Sequence, residues 1–325
     1  MKTTYLGLEL RSPVIVSSSP YTSTAQTVEQ CARHGAGAAV LKSIFEEQII
    51  HQAAALEQHS DSAYGDAGLY LERYLGDDYK ARFLQLIGEA RAATDLPLIA
   101  SINCVATGDA WIEYAEAMAE AGAAALELNI FFQPTDILEE SREIERRYAE
   151  IVGKVASAVR VPVSVKLPMR LTNVCNLGNR LLGCGARGAV LYNRFFEPDV
   201  DIERIAFAEG SPYSEPSELR NLLRTAAIFT SVLPQLDLSV STGVHDGAAV
   251  VKALLCGART AQVCTAIHNE GFGIIRHMNE FVDRWAESHG FESLEEFRGR
   301  LNFRDDPSPV YQRVQYMRYF PSSEE

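Results

Sequence analysis

The chain has 325 residues, 47% of them hydrophobic, enough to bury a large core. Its formal net charge is −13 and no basic run interrupts it, which argues against nucleic acid or an anionic membrane surface as the main partner. Six scattered cysteines (Cys31, Cys104, Cys175, Cys184, Cys256 and Cys264) form no C-x-x-C pair, so zinc and iron–sulfur centres find no support; reduced thiols and a cytoplasmic location are expected.

Short apolar runs alternate with helical patterns along the whole chain. The opening "MKTTYLGLELRSP" has no apolar h-region, and no stretch approaches about 20 uninterrupted apolar residues, so neither a signal peptide nor a membrane span is expected. "PVIVSS" (13–18) precedes a helix pattern at 24–34. "GAAVLKS" (37–43) precedes a polar, tyrosine-rich insertion (51–76) and a helix at 77–93. "LPLIASIN" (96–103) leads to a helix at 109–121, and "AALELNI" (124–130) to one at 138–159. "VPVSVKL" (161–167) leads to a helix around 176–184. "GAVLYN" (188–193) is followed by a long loop and a helix at 218–232. "LDLSVST" (236–242) precedes the helix "DGAAVVKALLCG", and "TAQVCTA" (260–266) precedes a helix at 272–288. "FESLEEFRGRL" (291–301) reads as a short amphipathic helix. The aromatic and basic tail, 302–325, is expected to pack on the preceding 1–301 or on a partner subunit, since its apolar residues are too many for a disordered segment.

The strand-like runs are continuously apolar, as in a parallel sheet buried on both faces. Eight such strands, each followed by a helix, predict an α/β fold of the (β/α)8 barrel type in a single domain. An open doubly wound sheet is the alternative, but the turn after its first strand would favour G-x-G-x-x-G, which "SSSPYTS" lacks.

Barrels of this kind react at the C-terminal ends of their strands. In order, those ends are Ser17, Ser18 and Ser19; Lys42 and Ser43; Ser101 and Asn103; Glu127 and Asn129; Lys166; Tyr192, Asn193 and Arg194; Ser241, Thr242 and Gly243; Cys264 and Thr265. A serine or asparagine after a strand is commonly a turn or cap residue. A lysine inside a barrel mouth is less ordinary, and Lys42 and Lys166 suggest an anion or an electron-rich ring. "STGVHDGAAV" and "CTAIHNEG" bring small residues and helix N-termini to the last two strands, where such barrels bind phosphate.

With these residues in hand, the chain resembles the dihydroorotate dehydrogenases, most closely the soluble class 1 enzymes. "LKS", "SIN", "ELNI" and "VPVSVKLP" are similar to that family's strand ends in order, and "ALLCGARTAQVCTAIHNEGFGIIRHMNEFVDRWAESHGFESLEEFRGRL" is similar to its C-terminal block. The resemblance spans about 6–301 and implies an FMN-binding barrel. It implies flavin and substrate contact for Lys42, and a place beside the flavin N1 and C2 carbonyl region for Lys166. It implies flavin or substrate contact for Asn129 and Asn193, and backbone approach of Ser18 and Ser19 to the flavin. Gly243 matches a glycine of the phosphate loop, and Thr265 the last phosphate contact. Ser43, Ser101, Thr242 and Cys264 complete the candidate cofactor set, and no metal is expected.

The departures gather where the family does its chemistry. The class 1 base is a cysteine and the class 2 base a serine; the matching position here is Phe132, which has no proton to exchange. The asparagine after it gives way to "QPTD", and "DSAYGDAGLYLERY" stands in place of another substrate loop. "EGSPYSEPSELR" replaces the glycine-rich loop after strand six, while Thr242 and Cys264 replace glycines. Cys104, Ser101, Tyr192 and His245 are the candidates for a displaced base; Tyr192 is expected to point opposite to Asn193, and His245 to cap a loop. Arg194, counted with Lys42 and Asn129 in the catalytic set, either clamps a substrate carboxylate or pairs with Glu127, Glu197 or Asp199. The expectation is an FMN oxidoreductase that passes hydride between a small anionic substrate, dihydroorotate first, and flavin N5. An external electron acceptor and a homodimer go with it. The alternatives are a flavin-binding relative without turnover, in a regulatory or subunit role, or with another substrate, and a phosphate-sugar barrel using Glu127 with Lys166 as its acid–base pair.

Overall fold

Eight parallel strands close on themselves, and helices cover the outside. The computed structural model describes residues 1–45, 67–103, 110–195, 198–208, 210–304 and 311, with backbone alone at 67–77 and 110. The barrel strands are β3 (Val14–Val16), β4 (Ala38–Val40), β6 (Leu98–Asn103), β7 (Ala125–Asn129), β8 (Val163–Pro168), β9 (Gly188–Asn193), β12 (Asp237–Ser241) and β13 (Thr260–Val263). β13 pairs with β3 and β4 with β6, so no edge is left open. A further short strand, β5 (Ile44–Phe45), runs beside the end of β6. These are the eight apolar runs of the sequence, and the open-sheet alternative is excluded.

The register sorts side chains by parity. Leu126, Leu128, Val163 and Val165 face the helices within the large outer core. Ile15, Ala38, Val40, Ile99 and Ala125 face inward and form a second, smaller core at the N-terminal end of the barrel. That end is stoppered by a hairpin not anticipated from the sequence, β1 (Thr3–Tyr5) with β2 (Leu8–Leu10). Its Tyr5, Leu6 and Leu10 join the inner core, and the Leu6 amide donates to Asp237 Oδ2 at 2.7 Å. Asp237 also pairs with Arg259, so the plug is tied to the strands it covers.

The helices sit where the pattern places them, with boundary differences that have local causes. α1 (Ala25–Arg33) starts at a Thr24 cap bonded to the Thr27 amide. α2 (Ala67–Ala93) begins ten residues before the expected 77, inside the supposed insertion. The rest of that insertion, and with it the question of closure over the site, lies outside the described residues. α3 (Ala110–Glu120) follows β6; α4 (Ser141–Ala158) starts three residues later than expected. α5 (Val174–Gly183) is capped by Asn173, and α6 (Arg220–Val232) follows a 3-10 turn at Pro216–Leu219. α7 (Gly247–Leu255) is capped by Asp246, whose carboxylate accepts from the Ala249 amide. A short helix not anticipated, α8 (Thr265–Glu270), precedes α9 (Gly273–Ser288). The expected amphipathic helix at 291–301 is a single 3-10 turn, Leu294–Glu296, followed by hydrogen-bonded turns that dock on the end of α7. The long loop after β9 holds a hairpin, β10 (Asp199–Asp201) with β11 (Ala206–Ala208). Of the tail, Tyr311 packs on the outer core and donates to the Leu301 carbonyl at 2.6 Å. No helix among the described residues is long and apolar enough to cross a membrane.

Gly37 enters β4 directly against the chain before β3: a Cβ there would lie 2.1 Å from the Ser12 carbonyl oxygen. Because that neighbour is backbone, Gly37→Ala should lower unfolding stability by about 1–3 kcal/mol, measured by urea denaturation.

Candidate active site

The strand ends build a mouth in which two lysines face a ring of hydroxyls and amides. Lys166 lies inside it, 7% exposed, because its position on β8 shares the inward parity of Ser164. Its ammonium donates to Ser17 Oγ at 3.3 Å and to Gln262 Oε1 at 3.4 Å. Lys42 is half-buried with its ammonium 5.3 Å from the centre of the Phe45 ring. Ser18, Ser43 and Ser101 form a chain of hydroxyls across β3, β4 and β6, at 3.0 and 2.7 Å. Ser19 accepts from the Tyr21 amide and caps the turn that leaves β3. Asn193 donates through Nδ2 to Asn129 Oδ1 at 2.9 Å, so the two predicted asparagines meet. Cys264, half-buried between these groups, has its thiol pushed up by burial, while a Ser19 hydrogen bond and the charges of Lys166 and Lys42 oppose that rise.

Where the chain leaves β12, Thr242 and Gly243 are both left-handed, at φ 88° and 73°. This conformation is costly for a β-branched residue, by about 1–3 kcal/mol. Thr242 Oγ1 donates to the Tyr192 carbonyl at 3.4 Å. Gly243 is required by packing: a Cβ would lie 2.3 Å from the Leu219 amide nitrogen. Thr265 Oγ1 accepts from both the amide and the hydroxyl of Ser214, each at 3.1 Å, and the same hydroxyl meets His245 Nε2 at 3.0 Å. His245 thus caps a loop, as expected. Tyr213 stacks on His268 at 3.7 Å, and His268 Nδ1 meets the Tyr21 hydroxyl at 2.8 Å.

Two expectations need correction, and one residue was missed. Glu127 is not at the mouth: it is fully buried within the barrel below Lys166, and cannot reach a substrate as half of an acid–base pair. Arg194 pairs with neither Glu127 nor Asp199. Its Nε donates to both carboxylate oxygens of Glu218, at 3.1 and 3.2 Å, and its Nη1 to the Ser211 carbonyl at 3.0 Å. Gln262, which links Lys166 to the interior, was overlooked, although the inward parity of β13 signals it. Cys104 and Glu197 lie outside the described residues. Tyr192 is buried against the helices, as expected, and burial pushes its hydroxyl up to about 12.

Beside the mouth, between the ends of β7, β8 and β9, opens a cavity of about 760 Å³. Phe131, Phe132, Tyr148, Met169 and Leu171 give it an apolar wall, and Asn193 and Arg194 its polar side. Phe132 is fixed there by an edge contact with Tyr148, ring centres 5.5 Å apart, and by the Arg147 guanidinium 4.2 Å from its centre. The Phe131 and Phe195 rings lie tilted against each other, centres 4.1 Å apart.

Fold and mouth together define a (β/α)8 barrel with a buried cation at the reactive end. No family model matches the chain. It is 27% identical to dihydroorotate dehydrogenase B (NAD(+)), catalytic subunit, of Pyrococcus abyssi, over 90% of this chain and 96% of that one. It is 21% identical to dihydroorotate dehydrogenase A (fumarate) of Lactococcus lactis, over 93% and 99%. It is 23% identical to the chloroplastic dihydropyrimidine dehydrogenase (NADP(+)) of Arabidopsis thaliana, over 92% and 76%. Over most of its length the chain is thus similar to dihydroorotate dehydrogenases, at 21–27% identity.

The Arg194–Glu218 pair anchors the loop that carries Ser211 and Ser214. Arg194→Ala should therefore raise the opening of 211–218 about tenfold, read as faster amide exchange in that segment alone.

Proposed function

We propose that this chain is an FMN-dependent oxidoreductase of the dihydroorotate dehydrogenase type, acting between a small anionic substrate and flavin N5, with dihydroorotate the first substrate to test. The observation that carries this reading is the buried Lys166 ammonium in a barrel mouth, facing hydroxyls and an amide and hydrogen-bonded to no carboxylate among the described residues. Such a cation suits a ring that gains negative charge. At the other end, the amides of Gly243 and Val244 donate to no acceptor among the described residues, which suits a phosphate. The residues present therefore fit FMN, provided Ser214 yields Thr265.

When bound, FMN would supply the two-electron chemistry. Lys166 would hold positive charge against one edge of the ring, and Lys42 would face ring and substrate together. The Asn129–Asn193 pair keeps one amide donor and one acceptor free, which complements a ring amide of the substrate. Ser18, Ser19, Ser43 and Ser101 would line the approach, with Thr242, Gly243, Cys264 and Thr265 at the phosphate. Phe132 takes no proton, so the proton that leaves the substrate would pass to another group or to solvent. Arg194, neutralised by Glu218, would act as a carboxylate clamp only after exchanging partners. An external electron acceptor, a homodimer and a cytoplasmic location belong to the same proposal.

A second reading, a flavin-binding relative without turnover, is favoured by the packing of Phe132 against Tyr148 and Arg147, which leaves no reactive group at the base position.

Purified protein should be yellow, and anaerobic dihydroorotate should bleach it. A colourless protein that takes up no added FMN would sink the flavin reading. Phe132→Cys should speed bleaching by about 10²-fold, measured by stopped flow. No bleaching in either form removes dihydroorotate as substrate.

A further inference from the structure

One buried ionisable group is left without a part in the proposed chemistry. Glu127 is 0% exposed, on the inward face of β7. Its Oε2 accepts from Gln262 Nε2 at 2.6 Å, and its Oε1 meets no donor. The other end of the same glutamine accepts from Lys166 Nζ at 3.4 Å and from Ser17 Oγ at 3.3 Å. The hydroxyl of Tyr5, from the plug hairpin, is likewise buried, near Ser164, and feels the charge of Glu127. A carboxyl group thus lies beneath the mouth cation, one side chain away.

The order of these groups is set by charge. An amide between a carboxylate and an ammonium must turn its NH2 to the first and its carbonyl to the second; the reverse would set like ends together. Gln262 is therefore held in one orientation, and it holds Lys166 in turn. Burial pushes the Glu127 carboxyl up, but Lys166 and the Gln262 amide pull it back toward the charged form. An isolated carboxylate at this depth would be costly, and so would an isolated ammonium; the two lower each other's cost.

We infer that Glu127 is a positioning residue: through Gln262 it fixes the Lys166 ammonium at the barrel mouth and offsets part of its charge, and so sets how strongly the site favours an electron-rich ring. The redox part rests on the flavin reading above; the coupling between Glu127 and Lys166 does not.

The test uses Glu127→Gln, which keeps the size and removes the charge, at pH 8. In urea unfolding of the chain without added cofactor, this substitution should raise the unfolding constant at least about tenfold in the native background. In a Lys166→Met background, where Glu127 has lost its counter-charge, it should leave that constant unchanged or lower it. A Glu127→Gln chain that folds only together with Lys166→Met is the same coupling in stronger form. Equal effects in both backgrounds, or failure of both variants to fold, would overturn the assignment. In FMN-loaded protein, Glu127→Gln should raise the flavin midpoint potential, by about 30 mV for each tenfold gain in preference for the reduced form. An unchanged or lowered potential overturns the redox part. A chain that takes up no FMN sinks the proposed function, while the unfolding cycle still decides the role of Glu127.

Discussion

An ammonium held inside a closed barrel is the constraint around which this molecule is arranged. A buried charge needs partners, since leaving it bare in a low-dielectric interior costs far more than a domain can spare. The inward face of the barrel is accordingly layered. At the bottom, Tyr5, Leu6 and Leu10 close an apolar layer with Ile15, Val40 and Ile99. Above it come Glu127, Ser164 and Ser239, each with a hydrogen bond, and then Gln262, Ser17 and Lys166. Parity along the strands delivers these polar residues to the inside while the outer core stays apolar.

The chain after β9 governs the remaining half of the site. Arg194 leaves the strand and is drawn to Glu218, while Ser214 crosses to Thr265 and His245. Leu219 rests on Gly243 closely enough that no other residue fits there. One loop therefore touches both the polar wall of the cavity and the turn after β12. The opposite wall is aromatic, with Phe132 held by Tyr148 and Arg147. Arg194, the cation on the cavity side, is already paired with the Glu218 carboxylate.

Much of this was legible beforehand, for identifiable reasons. Strands buried on both faces write themselves as short apolar runs, and their order gave the barrel. Lys42, Lys166, Asn129 and Asn193 stood out because a charge or amide at the end of such a run has few reasons to be there. The hairpin at Thr3–Tyr5 and Leu8–Leu10 was missed because strands of three residues carry too little pattern. Glu127 was misplaced by a single layer: a strand end and a strand interior differ by one pleat, and the letters do not say which residue reaches water. Gln262 was passed over because an inward glutamine reads like any polar residue until the anion and the cation on either side of it are known.

The sequence by itself determined the alternation of strands and helices, the identity of the groups at the strand ends, and that Phe132 carries no exchangeable proton. These are local facts, fixed by periodicity and by residue type. Only the tertiary structure decided which polar groups meet: Arg194 with Glu218, and Lys166 with the glutamine that reaches Glu127. Those partners lie 24 and 96 or more residues apart in the chain. They meet because barrel closure and loop packing bring them together, and pairing across such separations follows from geometry that no local pattern encodes.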